Sequence, residues 1–166
     1  MEEIKVNLDN LTNEERETLL KLVEKGNRLN KHWRGKVNDS YYMLSNRGNT
    51  VRDVESGCAC DEQSYRLGNY FKTEEEAVFA RDKQLVYQKL KDYALEHNTE
   101  EIDWENKTQK KWYIYFDCKL NLLRGNYNFE LKRINEIYFT SAKIAENAIK
   151  EIGENKIKKY LFGVEE

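Results

Sequence analysis

The chain has 166 residues, no proline, 39% apolar and 35% charged residues, and a formal net charge of −2. Its 11 Tyr, 6 Phe and 3 Trp offer ample area to bury, which excludes a disordered chain. The length suits one domain, or two small ones sharing an interface, since an ordinary core needs roughly 100 to 150 residues. No stretch approaches the roughly 20 consecutive apolar residues of a membrane span, and the N-terminal MEEIKVNLDN lacks a basic region followed by an apolar one, so a soluble, cytosolic protein is expected.

In chain order, IKVNL at 4–8 alternates like an edge strand. Thr12 followed by Glu15 is a capping-box pattern that opens a helix, with Leu19, Leu20, Leu22, Val23 and Leu29 on its apolar side and an end near Lys31. From Trp33 the signal turns to β: YYML (41–44), a turn at Ser45–Gly48, then TVRDV (50–54). SYRLGNYF (64–71) reads as a third strand. Thr73 and Glu76 form a second capping box, opening a helix that runs to His97-Asn98. NTEEIDWENKTQ (98–109) has loop character and marks an internal boundary. A second β block follows, with KWYIYFD (111–117), a hairpin return at CKLNLL (118–123), NFELKRI (128–134) and EIYF (136–139). Thr140 then caps a helix bearing Ile144, Ala145, Ala148, Ile149 and Ile152, which Gly153 stops before a short terminal helix at 154–162.

GNYFKTEEEAVFA (68–80) thus recurs, worn, as NEIYFTSAKIAENA (135–148). The expected fold is α+β: tandem β-hairpin–β–α units sharing a core in a pseudo-symmetric arrangement, with an N-terminal helix and a short C-terminal one. Residues 1–32 form the N-terminal strand and helix, 33–98 the first β-sheet-plus-helix unit and 99–166 the second.

Catalysis has no visible carrier. There is no P-loop, G-x-G-x-x-G, G-x-S-x-G or H-E-x-x-H, so no enzyme is expected. Acidic pairs such as Asp61-Glu62 and Asp103-Glu105 read as solvated surface. Cys58, Cys60 and Cys118 are odd in number, the first pair is C-A-C rather than C-x-x-C, and only His32 and His97 could join them. Free cytosolic thiols, with no metal and no cofactor, are the expectation.

Charge placement says more. Residues 73–105 hold ten acids against four bases, whereas 107–133 hold seven bases against two acids. Two binding readings follow. Glu74, Glu75, Glu76, Asp92, Glu96, Glu100, Glu101, Asp103 and Glu105, with Trp104 as an anchor, can present carboxylates to a basic groove on a protein. Alternatively, Lys110, Lys111, Lys132 and Arg133 among Trp112, Tyr113, Tyr115 and Tyr127 can hold nucleic acid by phosphate contacts and stacking. The plain alternative to both is a pair of solvated faces, and acids in a first helical turn favour the helix dipole without any partner.

At YRLGNYFKTEEEAVFARDK (65–83) the chain resembles the three-strands-then-helix modules of the plant Apetala-type DNA-binding domain and of phage integrase arm-binding domains, whose last strand runs into G-x-F-x-T-x-E-E-A. Those modules read DNA from an exposed sheet face, which by resemblance nominates Arg47, Arg52 and Arg66. Over nearly the whole chain, the order W…YYMLSNRG…YRLGNYFKTEEEA…WYIYFD…IYFTSAKIAENAI…IKKYLFGVE resembles small accessory proteins of phages and prophages of low-GC Gram-positive bacteria. That resemblance implies a non-catalytic protein that counters host defence. Its expected partner is a host defence protein such as a CRISPR effector nuclease with its guide RNA, met in the host cytosol through the acidic surface.

Overall fold

In a computed structural model the described residues are 11–29 and 32–164, and the strand expected at 4–8 lies outside them. The elements in order are α1 (Asn13–Leu29), β1 (Ser40–Leu44), β2 (Thr50–Val54), α2 (Ala59–Arg66), α3 (Glu74–His97), β3 (Lys111–Asp117), β4 (Leu122–Asn128), α4 (Ala142–Ile152) and α5 (Glu154–Ile157), which continues into a π-helical segment (Lys158–Phe162). The class is α+β, with helices at both ends and two small antiparallel hairpins, β1–β2 and β3–β4. No helix among the described residues is long and apolar enough to cross a membrane. The chain divides into two compact units, Met1–Met43 with Arg52–Lys72, and Leu44–Val51 with Thr73–Glu166.

The first unit is organised by two tyrosines and two carboxylates. Tyr41 and Tyr70, both buried, stack with ring centroids 3.9 Å apart, and Trp33 and Tyr65 flank Tyr70 at 5.7 Å each. Burying a phenol demands a partner for its hydroxyl. Tyr41 donates to Asp61 at 2.9 Å and Tyr70 to Glu55 at 2.8 Å, while Arg34 closes on Glu55 and Glu62. At the start of α1 the Thr12–Glu15 box forms: Glu15 N–H donates to Thr12 Oγ1 at 3.3 Å and the Glu15 carboxylate takes Thr12 N–H at 2.8 Å.

The second unit holds the larger apolar core. Residues of β3 pair with β4 in a register that sets Trp112 opposite Tyr127, Ile114 opposite Gly125 and Phe116 opposite Leu123. This face lies on α4, whose Ala145 and Ala148 are fully buried and so small that the helix lies close to the sheet. Val86, Leu90, Tyr93 and Ala94 of α3, with Phe139 and Ile157, complete the cluster. Gly153 stops α4 with φ +99°, a conformation that disfavours any residue with a side chain, and its N–H caps Ile149 O at 3.0 Å.

One device occurs in both units. Tyr42 exchanges both backbone hydrogen bonds with Phe71, at 2.8 Å each, and Trp112 does so with Phe139, at 2.9 and 2.7 Å. In each case the Phe stands two residues before a helix cap, Thr73 or Ser141, and follows a buried tyrosine, Tyr70 or Tyr138, that contacts a tryptophan, Trp33 or Trp104. Both bridges fall at the YF-(K/T)-(T/S) stretches, residues 70–73 and 138–141.

Several expected elements differ. Residues 64–71 are not a strand: α2 occupies Ala59–Arg66, and Phe71 alone pairs. The cause is a capping box built on a cysteine sulfur, in which Asp61 N–H donates to Cys58 Sγ at 3.3 Å and Asp61 accepts Cys58 N–H at 3.2 Å. The return strand runs over Leu122–Asn128 after a turn in which Asp117 accepts Lys119 and Leu120 N–H, so 129–134 is irregular and EIYF supplies only the Phe139 bridge. Ser141, rather than Thr140, caps α4 by accepting Ile144 N–H at 3.2 Å. Cys58 and Cys60 are joined in a disulfide, against the expectation of free thiols, and Cys118 alone is free.

Candidate partner-binding surface

α3 has 24 residues, and at 1.5 Å rise per residue Glu76 and Glu96 stand about 30 Å apart. The predicted acidic set therefore falls into two groups. Glu74, Glu75 and Glu76 form the first turn, where their role is local: Glu76 completes the box with Thr73, Glu74 accepts from Thr50 Oγ1 at 3.2 Å, and the carboxyl of Glu75 is lowered by backbone and Thr73 hydrogen bonds. Asp92, further along, accepts from Gln88 at 2.6 Å.

Glu96, Glu100, Glu101, Asp103 and Glu105 form the second group, at the end of α3 and in the loop after it. All five are exposed. Among the described residues none of them has a Lys or Arg within ion-pair distance. Their loop is held at both ends. Asn98 donates to Tyr138 O at 3.1 Å and accepts Thr140 N–H at 3.0 Å, and Thr99 N–H donates to Thr140 Oγ1 at 3.2 Å. At the far end the buried Gln109 accepts Asp103 N–H and donates to Glu101 O, both at 2.8 Å, while Asn106 accepts the N–H groups of Thr108 and Gln109. The carboxylates consequently stand on a fixed backbone.

Trp104 is no free anchor. Its ring meets Tyr138 edge-on at 4.9 Å, and the ammonium groups of Lys111 and Lys132 lie 5.6 and 5.3 Å from its centre. Lys111 is fully buried and donates to Asn106 O at 2.6 Å, a structural placement that removes it from any phosphate-binding surface. Of the other bases, Lys110 lies over Tyr127 at 4.7 Å and Arg133 over Tyr113 at 4.7 Å. The sheet face turned away from α4 carries Tyr113 and Tyr115 opposite Asn126 and Arg124. Arg47 sits at the β1–β2 turn, Arg52 bonds Ser40 at 2.8 Å, and Arg66 ends α2. Arg52 and Arg66 belong to the first unit and Lys110, Lys132 and Arg133 to the second, so neither unit alone gathers the basic set.

Sequence reasoning missed the buried carboxylates of the first unit. Asp61 accepts from Tyr41 Oη, from Ser56 N–H and Oγ, and from Cys58 N–H, and its carboxyl is held down at about 2, chiefly by the Ser56 N–H. Glu55 is lowered chiefly by Arg34, while burial and the bond to Glu55 push the Tyr70 hydroxyl up to about 12. These fully engaged groups brace the unit rather than offer a proton. The spacing Cys58-x-x-Asp61 was their one sequence signal, hidden because Cys is an unusual cap. Comparison with protein-family models, curated proteins and solved structures gave no match.

Proposed function

We propose that this is a non-catalytic, phage-encoded binding protein that inhibits a host defence system, with a CRISPR effector nuclease and its guide RNA as the target class, and that it works through the carboxylates at the end of α3. One observation carries the reading: five exposed acids, with no Lys or Arg at ion-pair distance among the described residues, stand at the end of α3 and on the loop after it, which Asn98, Gln109 and Asn106 brace. A rigid row of carboxylates imitates the phosphates of a nucleic acid, and it spends little ordering entropy on meeting a cationic groove.

The test is a pull-down of tagged protein from a host lysate with and without nuclease, followed by titration of the captured complex. Capture of a nucleoprotein effector that survives nuclease supports the proposal. Replacing Glu96, Glu100 and Glu101 by Gln, Asp103 by Asn and Glu105 by Gln is expected to weaken binding about tenfold or more and flatten its salt dependence. Unchanged affinity in that variant overturns the role of this surface.

A second reading, direct nucleic-acid binding, is favoured by the Tyr113–Tyr115 face of β3–β4, where Arg124 stands opposite Tyr115 and Arg133 lies over Tyr113. Capture that disappears with nuclease, and affinity for single strands that falls steeply with salt, would select it over the first.

A further inference from the structure

The Cys58–Cys60 bond sits where a structural staple has least to do. A cross-link spanning one intervening residue closes a very short loop and removes little freedom from the unfolded chain. The segment it spans is already fixed by other means. Glu55 accepts Gly57 N–H at 3.0 Å, and Asp61 takes the N–H groups of Ser56 and Cys58 at 2.8 and 3.2 Å. Those bonds do not depend on the sulfurs, so both side chains remain neighbours when the disulfide is open.

The two sulfurs are also unlike. Cys60 lies in the first turn of α2 and is exposed; Cys58 is half-buried, caps that helix and accepts Asp61 N–H at 3.3 Å. Exchange proceeds by attack of a thiolate on the accessible sulfur, with faster departure of the better-stabilised one. A helix N-terminus with an N–H aimed at Sγ stabilises a departing thiolate.

We infer that Cys58–Cys60 is a reversible thiol–disulfide exchange site for low-molecular-weight thiols, with Cys60 the attacked sulfur and Cys58 the leaving group. An incoming thiolate RS⁻ bonds to Cys60 Sγ as the Cys58–Cys60 bond breaks, and Cys58 departs as the thiolate at the helix cap. A second thiolate then attacks the RS sulfur of the mixed disulfide, releasing RSSR and leaving Cys60 reduced. Two thiols of the reductant are oxidised to one disulfide, and one protein disulfide becomes two thiols. The reverse sequence, from RSSR, restores the bond.

The experiment equilibrates native protein carrying Cys118→Ser with glutathione buffers of graded ratio, then quenches, alkylates and weighs it. The free Cys118 is thereby removed from the count. Expected is a coupled appearance of two thiols, moving from under about a tenth to over about nine tenths reduced across the series and returning on reversal, with an unchanged far-ultraviolet spectrum. A bond that stays closed until denaturant is added, or that fails to re-form from the dithiol under oxidised glutathione, overturns the inference. Acid quench early in the reduction of that same protein should trap the glutathione mixed disulfide on Cys60, located by fragmenting the peptide, and an adduct mainly on Cys58 would overturn the assigned direction.

Discussion

Asp61 is a carboxylate surrounded by donors: a phenol, a hydroxyl and two backbone N–H groups. Its folded carboxyl ionises at about 2 against an ordinary 3.8, so the folded state holds the charged form more tightly than the unfolded chain does. The resulting stabilisation is complete above about pH 4 and disappears as the pH falls towards 2. Glu55, lowered chiefly by Arg34, adds in the same direction. Asp61→Asn should therefore lower the thermal midpoint at pH 7, and the gap from the parent should close on acidification through that window. A gap independent of pH between 2 and 7 would show that the charge on Asp61 is not what stabilises the fold. Lys111 teaches the same lesson with the opposite sign of charge. It stands one residue before the bridging Trp112, as Tyr41 stands one before Tyr42, and both are buried, yet one neighbour is an ammonium on a carbonyl and the other a phenol on a carboxylate.

Among the elements, α4 depends on smallness. Ala145 and Ala148 have no exposed surface, and Gly125 on β4 comes near enough that a side-chain carbon there would touch Ala145 at 3.7 Å. Ala148→Leu should cost about 1–3 kcal/mol through overpacking, read as a lower urea midpoint with unchanged slope. A change within a few tenths would mean that α4 has room beneath it. Helices with standard signals were legible in the sequence: Thr12/Glu15 and Thr73/Glu76 placed two starts, and Gly153 placed a stop. The β1–β2 turn was equally plain from Ser45 to Gly48. The misread elements share a cause. Residues 64–71 and 128–134 read as strands, but a strand needs a partner, and pairing is set by distant residues that no local pattern reveals.

On the scale of the whole chain, a formal charge of −2 conceals acidic and basic blocks that both fall in the second unit. The acidic block was readable from composition, and its division into two ends of α3 follows from helical rise alone. The brace beneath its C-terminal half was not, because Gln109, Thr140 and Tyr138 come from other parts of the chain. Nor was the burial of Lys111, since a lysine in a charged sequence ordinarily faces water. The paired bridges at Phe71 and Phe139 also bear on how each unit opens. Among the described residues, these two amides, with those of Tyr42 and Trp112, are the backbone rungs joining each hairpin to the chain that leads into the next helix. Transferred to deuterated solvent, Phe71 and Phe139 should keep their protons amid neighbours that exchange them quickly. The order in which those two signals fade would rank the opening free energies of the two Tyr-Phe bridges.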